Sequence, residues 1–466
     1  MQDVTLAPSF RDPAGHVVFR DNRIFRVVNR VGEEHLGPFM ATAAAGSLRQ
    51  SGVLVRTERV HGDLLNLSTS LEEVSLYEHE RIPFPSFPYE WAPEMLHAAG
   101  VLTIEIAEQC LDEGYGLKDA SPYNVLFRGP DPIFVDVLSF ERREPGDPTW
   151  LAYAQFTRNF YLPLLASNRL GIPLDQIFRS RRDGIRPDEL YAWVGPLRRL
   201  LPPYLSAITI PSWLSRYESA GLYKPRSMGK EQCRFILRSL LRRLKRTMAK
   251  LEPGEGRSHW SEYGNAPPSY NDEQAAAKRT FIETTLRRIA PRNLFDIGCN
   301  TGFYSLLAAE NGASVVAADA DAAVIGRLWR QARERRLDIL PLVVDIARPT
   351  PALGWRYQEN ASFLDRTRGG FDTVLMLALI HHLLVTERVP LEQIMGLAAE
   401  LTTAHAIVEY IGPGDPMFRR LTRGRDHLHA DLTPERFENA CLEHFDIVER
   451  APLPACLRTL YLLRKH

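Results

Sequence analysis

A short segment of the chain combines residue types that can hold a small ligand against the protein backbone. In residues 293–305 an apolar run closes on Asp296, and two glycines, Gly298 and Gly302, follow four positions apart. Glycines at this spacing let a strand turn sharply into a helix over a backbone that stays bare. The segment therefore predicts a ligand-binding loop between a buried strand and a helix.

The residues around these glycines distinguish between two classes of ligand. A dinucleotide site has the pattern G-x-G-x-x-G, whose last glycine lets the start of the helix approach the pyrophosphate. Here the middle position is Asn300, which tolerates a positive φ better than most side chains. The last position is Phe303, and its bulk favours a ligand that has no pyrophosphate.

Two further acids follow the next two apolar segments. Residues 313–318 end at Asp319, at the distance where a carboxylate can hydrogen-bond ribose hydroxyls, and residues 340–344 end at Asp345. Three apolar strands that each end at an acid predict one rim of a doubly wound sheet. The alternative is that these acids only cap the helices that follow them.

The segment around Asp296 resembles motif I of the class I S-adenosylmethionine (SAM) methyltransferases. The resemblance covers roughly residues 258–466, including two final strands, 445–450 and 457–463, that match the antiparallel pair ending that fold. It implies an α/β fold with a Rossmann-like sheet, a terminal antiparallel hairpin and SAM as the cofactor. It would place the methionine part of SAM at Asp296, Gly298, Asn300 and Gly302, the ribose at Asp319 and the adenine at Asp345.

Two adjacent histidines follow the fourth predicted strand, residues 371–376. In this family the carboxyl end of that strand lies beside the methyl group of the cofactor, so His381 and His382 are the candidate catalytic residues. A hydroxyl acceptor benefits from a general base, and we prefer His382 for that role. The alternative is that one histidine caps or packs and neither is a base. The absence of Asn-Pro-Pro-Tyr here argues against methylation of an amide nitrogen, and oxygen is the acceptor atom that we prefer.

The acceptor side of the pocket is less clearly marked. The fifth predicted strand, residues 406–410, ends with Glu409 and Tyr410, which we expect near the acceptor. The basic cluster beyond it could meet an anionic acceptor or simply solvate a helix and its loop. This cluster consists of Arg419, Arg420, Arg423 and Arg425.

Three aromatic residues precede motif I: Trp260, Tyr263 and Tyr270. In methyltransferases this segment commonly folds over the cofactor, and aromatic faces attract a sulfonium. They could equally belong to the start of a helix that packs on the edge of the sheet.

Residues 117–140 resemble the catalytic loop of the protein kinases. Asp119 and Asn124 are five apart, like the catalytic Asp and the metal-binding Asn of that loop, and Asp136 stands where the second metal-binding acid would be. A predicted amphipathic helix, residues 92–113, precedes the loop. The resemblance implies an α+β kinase-like fold for the first half of the chain.

Activity of this half as a kinase is disfavoured. The first lysine of the chain is Lys118, so no lysine on an earlier strand can hold nucleotide phosphates, and no Gly-rich phosphate loop is present. Arg56 would substitute only imperfectly, because arginine and lysine are not interchangeable at such sites. We therefore predict a degenerate kinase-like domain, with binding of Mg-ATP by Asp119, Asn124 and Asp136 as the alternative.

A basic helix and a linker are predicted between the two halves. Residues 230–250 carry eight basic residues and one acid, with apolar residues at helical spacing. Such a helix can lie on an anionic membrane or polyanion. It can also pack its apolar stripe on its own domain and leave the charges solvated. The segment 251–257, with Pro253 and two glycines, reads as the linker.

The bulk properties set the limits for these hypotheses. A length of 466 residues predicts several domains, and equal numbers of basic and acidic residues, 57 each, disfavour a nucleic-acid partner. Five cysteines without a C-x-x-C pair argue for a reducing compartment and against a zinc cluster, and we predict no metal. We see no signal peptide and no apolar run long enough to span a membrane, and we expect a cytoplasmic protein.

We therefore predict a kinase-like domain at 1–225, a basic helix and linker at 226–257, and a SAM-dependent methyltransferase domain at 258–466. Together the two halves are similar to bacterial nodulation and host-specificity methyltransferases. That resemblance implies a small-molecule or glycan acceptor, with the kinase-like domain aiding its recognition. The alternatives are a bifunctional kinase–methyltransferase and a non-catalytic binding or regulatory protein with a vestigial cofactor pocket. The oligomeric state stays open.

Overall fold

The computed structural model describes residues 5–6, 11–61, 74–214, 228–254 and 270–466. The chain divides into two compact units, each described below by itself. The first comprises Met1–Arg128, Pro132–Pro253 and Leu353–Asn360, and the second comprises Gly129–Asp131, Gly254–Ala352 and Ala361–His466.

The first unit begins with a five-stranded sheet in which every neighbouring pair is antiparallel. Aromatic and branched side chains such as Phe25 and Val27 are buried on it, which is the packing that favours such residues in strands. Its strand order is β1-β2-β3-β5-β4. The strands are β1 (Thr5–Leu6), β2 (Gly15–Arg20), β3 (Arg23–Asn29), β4 (Thr57–Val60) and β5 (Val74–His79).

Four shorter strands surround the segment that resembles a kinase catalytic loop. They are β6 (Tyr115–Leu117), β7 (Val125–Arg128), β8 (Asp131–Phe134) and β9 (Phe140–Arg142). β6 pairs with β9 in antiparallel fashion. The loop with Asp119 and Asn124 therefore leaves one strand of this ladder, and the segment with Asp136 enters the other.

The helices of the first unit are centred on one long helix, in which 13 of 19 residues are buried. This helix is α3, and it confirms the helix predicted at 92–113. The helices are α1 (Arg30–Met40), α2 (Ala43–Gln50), α3 (Pro93–Leu111), α4 (Tyr153–Phe156), α5 (Leu162–Leu170), α6 (Leu174–Ser180), α7 (Pro187–Trp193), α8 (Pro196–Arg199), α9 (Ile210–Leu214) and α10 (Lys230–Ala249).

The basic helix α10 packs on its own unit, so the second of the two interpretations of this segment describes the structure. Its apolar face, which includes Leu237 and Leu241, is buried. Several of its basic side chains pair with acids of α3 and its C-cap: Lys245 with Glu105, Arg242 with Glu108, and Arg234 and Arg238 with Asp112.

The second unit contains a seven-stranded sheet with the order β12-β11-β10-β13-β14-β16-β15. The first five strands are parallel, and the last two add an antiparallel pair at one edge. This topology confirms the predicted Rossmann-like sheet with its terminal hairpin. The strands are β10 (Asn293–Ile297), β11 (Ser314–Asp319), β12 (Ile339–Val343), β13 (Phe371–Met376), β14 (Thr402–Ile411), β15 (Phe445–Pro452) and β16 (Arg458–Lys465).

Helices connect the parallel strands of this sheet. Because β10 and β13 are buried almost throughout, both faces of the sheet are covered, as in other parallel sheets. The helices are α11 (Asp272–Ile289), α12 (Phe303–Glu310), α13 (Ala322–Arg335), α14 (Phe363–Thr367), α15 (Ile380–Val385), α16 (Leu391–Leu401), α17 (Pro416–Thr422) and α18 (Pro434–Leu442). Within the described ranges of the chain, no helix combines the length and the apolar character needed to cross a membrane.

Candidate active site

The loop between β10 and α12 has the backbone conformation that its sequence predicts. Gly298, Asn300 and Gly302 all adopt a positive φ, at 73°, 50° and 77°. A Cβ added to Gly302 would lie 2.3 Å from a methyl carbon of Leu328, so this glycine lets α12 approach α13 closely. All three positions thus turn the loop, and Gly302 also allows the two helices to pack closely.

A cavity of about 490 Å³ opens beside this loop, at the carboxyl ends of the parallel strands. Of the predicted site residues, only Gly302 is absent from its wall. The predicted residues that line it are Asp296, Gly298, Asn300, Asp319, Asp345, His381 and His382. The sheet therefore brings together acids, loop and histidines that are distant in the sequence.

Asp296 lies at the base of this cavity and is buried. The Ser305 hydroxyl donates a hydrogen bond to its Oδ2 at 2.6 Å. Burial raises the pKa of Asp296 to about 6, and the nearby charge of Asp319 adds to that rise. Because the Ser305 bond stabilises the carboxylate, it acts in the opposite direction.

Asp319 is oriented by backbone N–H groups. Asn300 N donates to its Oδ2 at 2.9 Å, and Asp321 N donates to its Oδ1 at 3.0 Å. Burial raises the pKa of Asp319, while these two bonds lower it. The carboxylate is thus fixed in direction at the cavity wall, where it can accept further hydrogen bonds.

Asp345 has a different environment. Its Oδ1 accepts a hydrogen bond from Ala347 N at 3.0 Å, and its Oδ2 lies 2.8 Å from Arg348. Arg348 also pairs with Glu387 at 2.6 Å. The wall near Asp345 therefore carries a partly neutralised charge.

The two histidines stand at the start of α15, with their ring centroids 4.2 Å apart. His381 is only 3% exposed, and burial lowers its pKa to about 2, with His382 and Arg458 adding to the effect. In the described part of the chain, no group forms a hydrogen bond with its buried Nδ1. His381 is therefore a neutral imidazole at neutral pH. Burial also lowers the pKa of His382.

A buried polar network that the sequence analysis did not find forms another part of the wall. Lys278 Nζ lies 2.7 Å from Glu409 Oε2, and the Tyr270 hydroxyl donates to Glu409 Oε1 at 2.7 Å. Lys278 Nζ also donates to the Tyr270 hydroxyl at 3.0 Å. Tyr270 and Lys278 line the cavity, whereas Glu409 is fully buried behind them. The sequence analysis named Tyr270 and Glu409 separately but not their connection, and the signal for Lys278 was its position on the buried face of α11.

A second buried ion pair adjoins the network. Arg458 donates to both carboxylate oxygens of Asp415, at 2.7 and 3.1 Å. Its guanidinium carbon lies 4.4 Å from the centroid of the Tyr270 ring, close enough for a cation–π contact. Arg458 lines the cavity, but Tyr410, which we expected near the acceptor, does not: its hydroxyl donates to Leu432 O at 2.8 Å.

Of the predicted aromatic cover, the structure describes one residue. Tyr270 lines the cavity, and Trp260 and Tyr263 lie outside the described residues. Among the side chains that the structure describes, no group of three or more His, Cys, Asp and Glu is placed to hold a metal ion.

A second, larger cavity of about 1070 Å³ lies next to the first and shares His382, Thr386 and Met417 with it. We call it the arginine cavity, because five arginines contribute to its wall. They are Arg388, Arg420, Arg423, Arg425 and Arg436. Arg419, the remaining member of the predicted basic cluster, does not line it.

The residues of the kinase-like loop, in the first unit, bond to other protein side chains. Arg26 Nη1 lies 3.2 Å from Asp136 Oδ1, and the Ser139 hydroxyl donates to Asp136 Oδ2 at 2.6 Å. Asn124 Nδ2 donates to the Ser139 hydroxyl at 3.1 Å. The basic partner of Asp136 is thus Arg26 on β3, whereas Arg56 pairs with Glu58 on the surface.

Comparisons with known proteins agree with the topology of the second unit. Residues 295–394 match the family described as "Methyltransferase domain". The nodulation protein NoeA of Rhizobium meliloti (strain 1021) is 27% identical over 475 residues, which cover 99% of this chain and 96% of that protein.

Solved structures are similar over part of the chain. The bifunctional kinase-methyltransferase WbdD is 20% identical with a TM-score of 0.31, and the match covers 45% of this chain and 42% of WbdD. The N-methyltransferase NodS from Bradyrhizobium japonicum WM9 is 17% identical with a TM-score of 0.31, over 42% of this chain and 99% of NodS. From the family match and the sheet topology, we conclude that the carboxyl-terminal part of this chain contains a methyltransferase domain.

Proposed function

We propose that the chain is a SAM-dependent methyltransferase that methylates a hydroxyl group of a small molecule or glycan. The observation that carries this proposal is the single cavity into which the motif I loop, Asp319 and Asp345 converge with His381 and His382. Its volume of about 490 Å³ falls in the range of about 300–1,000 Å³ that is usual for small-ligand sites.

The residues present fit SAM as a ligand. Gly298 keeps the loop backbone bare beside the cavity, and a Cβ there would lie 3.1 Å from Leu379. Asp319 presents a carboxylate that backbone N–H groups orient, which suits the two ribose hydroxyls. Asp296, Asn300 and Asp345 would hold the methionine part and the adenine. When bound, SAM supplies an electrophilic methyl group on a sulfonium.

The two histidines have different roles at the acceptor. His382 is neutral at pH 7, because burial lowers its pKa, and it borders both cavities. It can therefore take the proton of an acceptor hydroxyl as the oxygen becomes a nucleophile. The pKa of His381, at about 2, is too low for an effective base. Its imidazole instead orients the acceptor through a hydrogen bond.

The Tyr270, Lys278 and Glu409 network gives this end of the cavity a rigid polar wall. Each of the three side chains forms a hydrogen bond with both of the others, at 2.7 to 3.0 Å. Methyl transfer mainly requires that the acceptor and the methyl group are held in line, and a rigid wall helps to keep the acceptor in that orientation.

For the first unit, we propose a role in acceptor recognition rather than phosphate transfer. Both carboxylate oxygens of Asp136 already bond to Arg26 and Ser139. A kinase needs this acid for its metal ion and a cation for the nucleotide phosphates. Here the acid is bonded to Arg26 and Ser139 instead, and Arg56, the candidate for the phosphate-binding cation, pairs with Glu58, which supports a non-catalytic kinase-like domain.

Calorimetric titration with S-adenosylhomocysteine tests the proposed cofactor. We expect micromolar binding by the wild type and a loss of at least tenfold in Asp319→Ala, because hydrogen bonds to a charged group contribute about 1.5–3 kcal/mol. Asp321→Ala is the matched control: this acid caps α13 two residues away and does not line the cavity. An absence of binding in the wild type would contradict the proposal.

A further inference from the structure

We propose that the arginine cavity binds an oxyanion carried by the methyl acceptor, so that the acceptor is a phosphorylated, sulfated or carboxylated molecule. This inference rests on the proposed function, because it assigns the acceptor of the same methyltransferase site. The arginine cavity would be a second binding site next to the first, and its ligand would be negatively charged.

The wall of the arginine cavity carries an uncompensated positive charge. Five arginines line the cavity, and the acid among its lining residues, Asp431, pairs with Arg436. Among the residues that the structure describes, no carboxylate forms an ion pair with Arg388, Arg420, Arg423 or Arg425. The chain as a whole has equal numbers of basic and acidic residues, so this excess is local. Like charges held around one cavity favour an anion within it.

The arginines of this wall come from separate elements of the second unit. Arg420 lies on α17, and Arg423 ends that helix, where basic residues are common because they interact well with the helix dipole. That explanation does not extend to Arg388, in the loop after α15, or to Arg436 in the first turn of α18. Guanidinium groups from three segments thus line the same cavity, and within the described residues Arg436 is the one among them that pairs with acids, Asp431 and Glu392.

The arginine cavity lies directly beside the proposed SAM site. His382, Thr386 and Met417 line both this cavity and the proposed SAM site. An acceptor whose oxyanion is held by the arginines would therefore extend past His382 toward the methyl donor. The arginines would position the acceptor, and the methylated oxygen would be the one that reaches His382.

The composition of the wall also favours a small anionic molecule over a nucleic acid. The described residues that line the arginine cavity include no Phe, Tyr or Trp. Single-stranded nucleic acid sites usually offer aromatic side chains on which bases stack. Arginine, by contrast, suits phosphate and carboxylate groups, because its planar fork donates two parallel hydrogen bonds.

The test is calorimetric titration of the full chain with inorganic pyrophosphate in the presence of saturating S-adenosylhomocysteine, which keeps the probe out of the cofactor site. We expect wild-type protein to bind pyrophosphate and Arg420→Gln/Arg423→Gln to bind it at least tenfold more weakly. The matched control is Arg419→Gln, on the same helix but outside the cavity wall. It should stay within twofold of the wild type.

The outcomes separate this inference from the proposed function. If S-adenosylhomocysteine binds but neither pyrophosphate nor a sulfated or carboxylated probe does, or if Arg419→Gln weakens oxyanion binding as much as the double variant, the inference is wrong and the methyltransferase proposal stands. If S-adenosylhomocysteine itself fails to bind, the proposed function fails. The double variant should bind S-adenosylhomocysteine with unchanged affinity, which also shows that it is folded.

Three probes distinguish the sources of the oxyanion: pyrophosphate, a sulfated disaccharide and digalacturonate. Each is titrated into the wild type and the double variant under the same conditions. The class whose binding weakens at least tenfold in the double variant identifies the acceptor's anionic group. If none of the three binds in a way that depends on Arg420 and Arg423, the oxyanion site is refuted.

Discussion

The cavity of the second unit and the kinase-like loop of the first unit both gather acids at strand ends, but they stabilise them differently. In the loop, Asp136 is neutralised by Arg26 and bonded by Ser139. In the cavity, Asp319 is oriented by two backbone N–H groups. Backbone donors fix a carboxylate without cancelling its charge. The difference shows how one acid stays available to a ligand while the other serves the protein's own structure.

The histidines of the two regions differ in the same way. His79, in the first unit, has both ring nitrogens bonded: Nε2 lies 3.1 Å from Arg26 Nε, and Nδ1 lies 2.9 Å from the Thr57 hydroxyl. His381 has a buried Nδ1 with no hydrogen-bond partner in the described part of the chain. Buried polar groups are nearly always bonded, so this nitrogen of a cavity-lining residue is an exception.

The largest expected effect concerns the buried wall of the cavity. Lys278→Met would leave the fully buried Glu409 without its cation, and removing one partner of a buried ion pair costs about 3–5 kcal/mol. Lys245→Met is the matched control, because its pair with Glu105 in the first unit is exposed and worth about 0–1 kcal/mol. Urea denaturation of both variants measures the two losses. Equal losses would contradict the view that the wall is a rigid, desolvated network.

The second prediction tests whether the kinase-like loop is structural. Asp136→Ala should lower the free energy of unfolding by about 1–3 kcal/mol, because the buried Arg26 loses its acid. The affinity for S-adenosylhomocysteine should not change. Calorimetry with Mg-ATP should show no binding in the wild type. Turnover of ATP that Asp136→Ala abolishes would instead establish the bifunctional kinase–methyltransferase.

The third prediction uses the depressed pKa of His381. Its folded-state pKa of about 2 lies below its unfolded value of 6.5, so the unfolded chain binds the extra proton between these two pH values. Its contribution to stability is present above pH 6.5 and is lost as pH falls, at about 1.4 kcal/mol per pH unit. Between pH 6.5 and 5 this amounts to about 2 kcal/mol. Denaturation at several pH values should show a shallower dependence in His381→Gln.

His79 provides the comparison for that measurement. Burial lowers its pKa to about 3, with Arg26 adding to the effect, so His79→Gln should flatten the pH dependence by a similar slope. Saturating S-adenosylhomocysteine should raise the stability of the wild type and of His79→Gln alike, because His79 is not part of the cavity wall. An unchanged pH dependence in both variants would show that neither histidine is buried in its neutral form.

The sequence allowed the sheet of the second unit to be predicted closely. The strand predicted at 371–376 is β13 with the same bounds, and the final antiparallel pair is present. These strands can be predicted from the sequence because strands buried on both faces form continuous apolar runs between turn residues. The position of the acids at the edge of the sheet could be predicted for the same reason, since the end of each apolar run marks that edge.

The polar partners of the sites could not be predicted in this way. Lys278 and Glu409 are 131 positions apart and meet only because α11 and β14 pack in the same unit. Arg26 stands between apolar residues of β3, and nothing in that pattern shows that its partner is Asp136. Likewise, Arg388 joins Arg420, Arg423 and Arg425 in the wall of the arginine cavity only through the fold. Side-chain pairing across long separations depends on tertiary structure, which local periodicity does not describe.

The smallest expected effect separates two possible roles of a glycine in the loop between β10 and α12. Gly302 was predicted to hold the methionine part of SAM, but its missing Cβ makes room for Leu328. Gly312 also has a positive φ, at 94°, with nothing near its Cβ position, so Gly312→Ala measures the backbone cost alone. We expect Gly302→Ala to lose about 1 kcal/mol more stability in thermal or chemical denaturation, because overpacking adds to the backbone strain. The two variants could instead be equally stable, with only Gly302→Ala losing its binding of S-adenosylhomocysteine. In that case Leu328 accommodates the added Cβ, and the glycine is needed for the ligand rather than for helix packing.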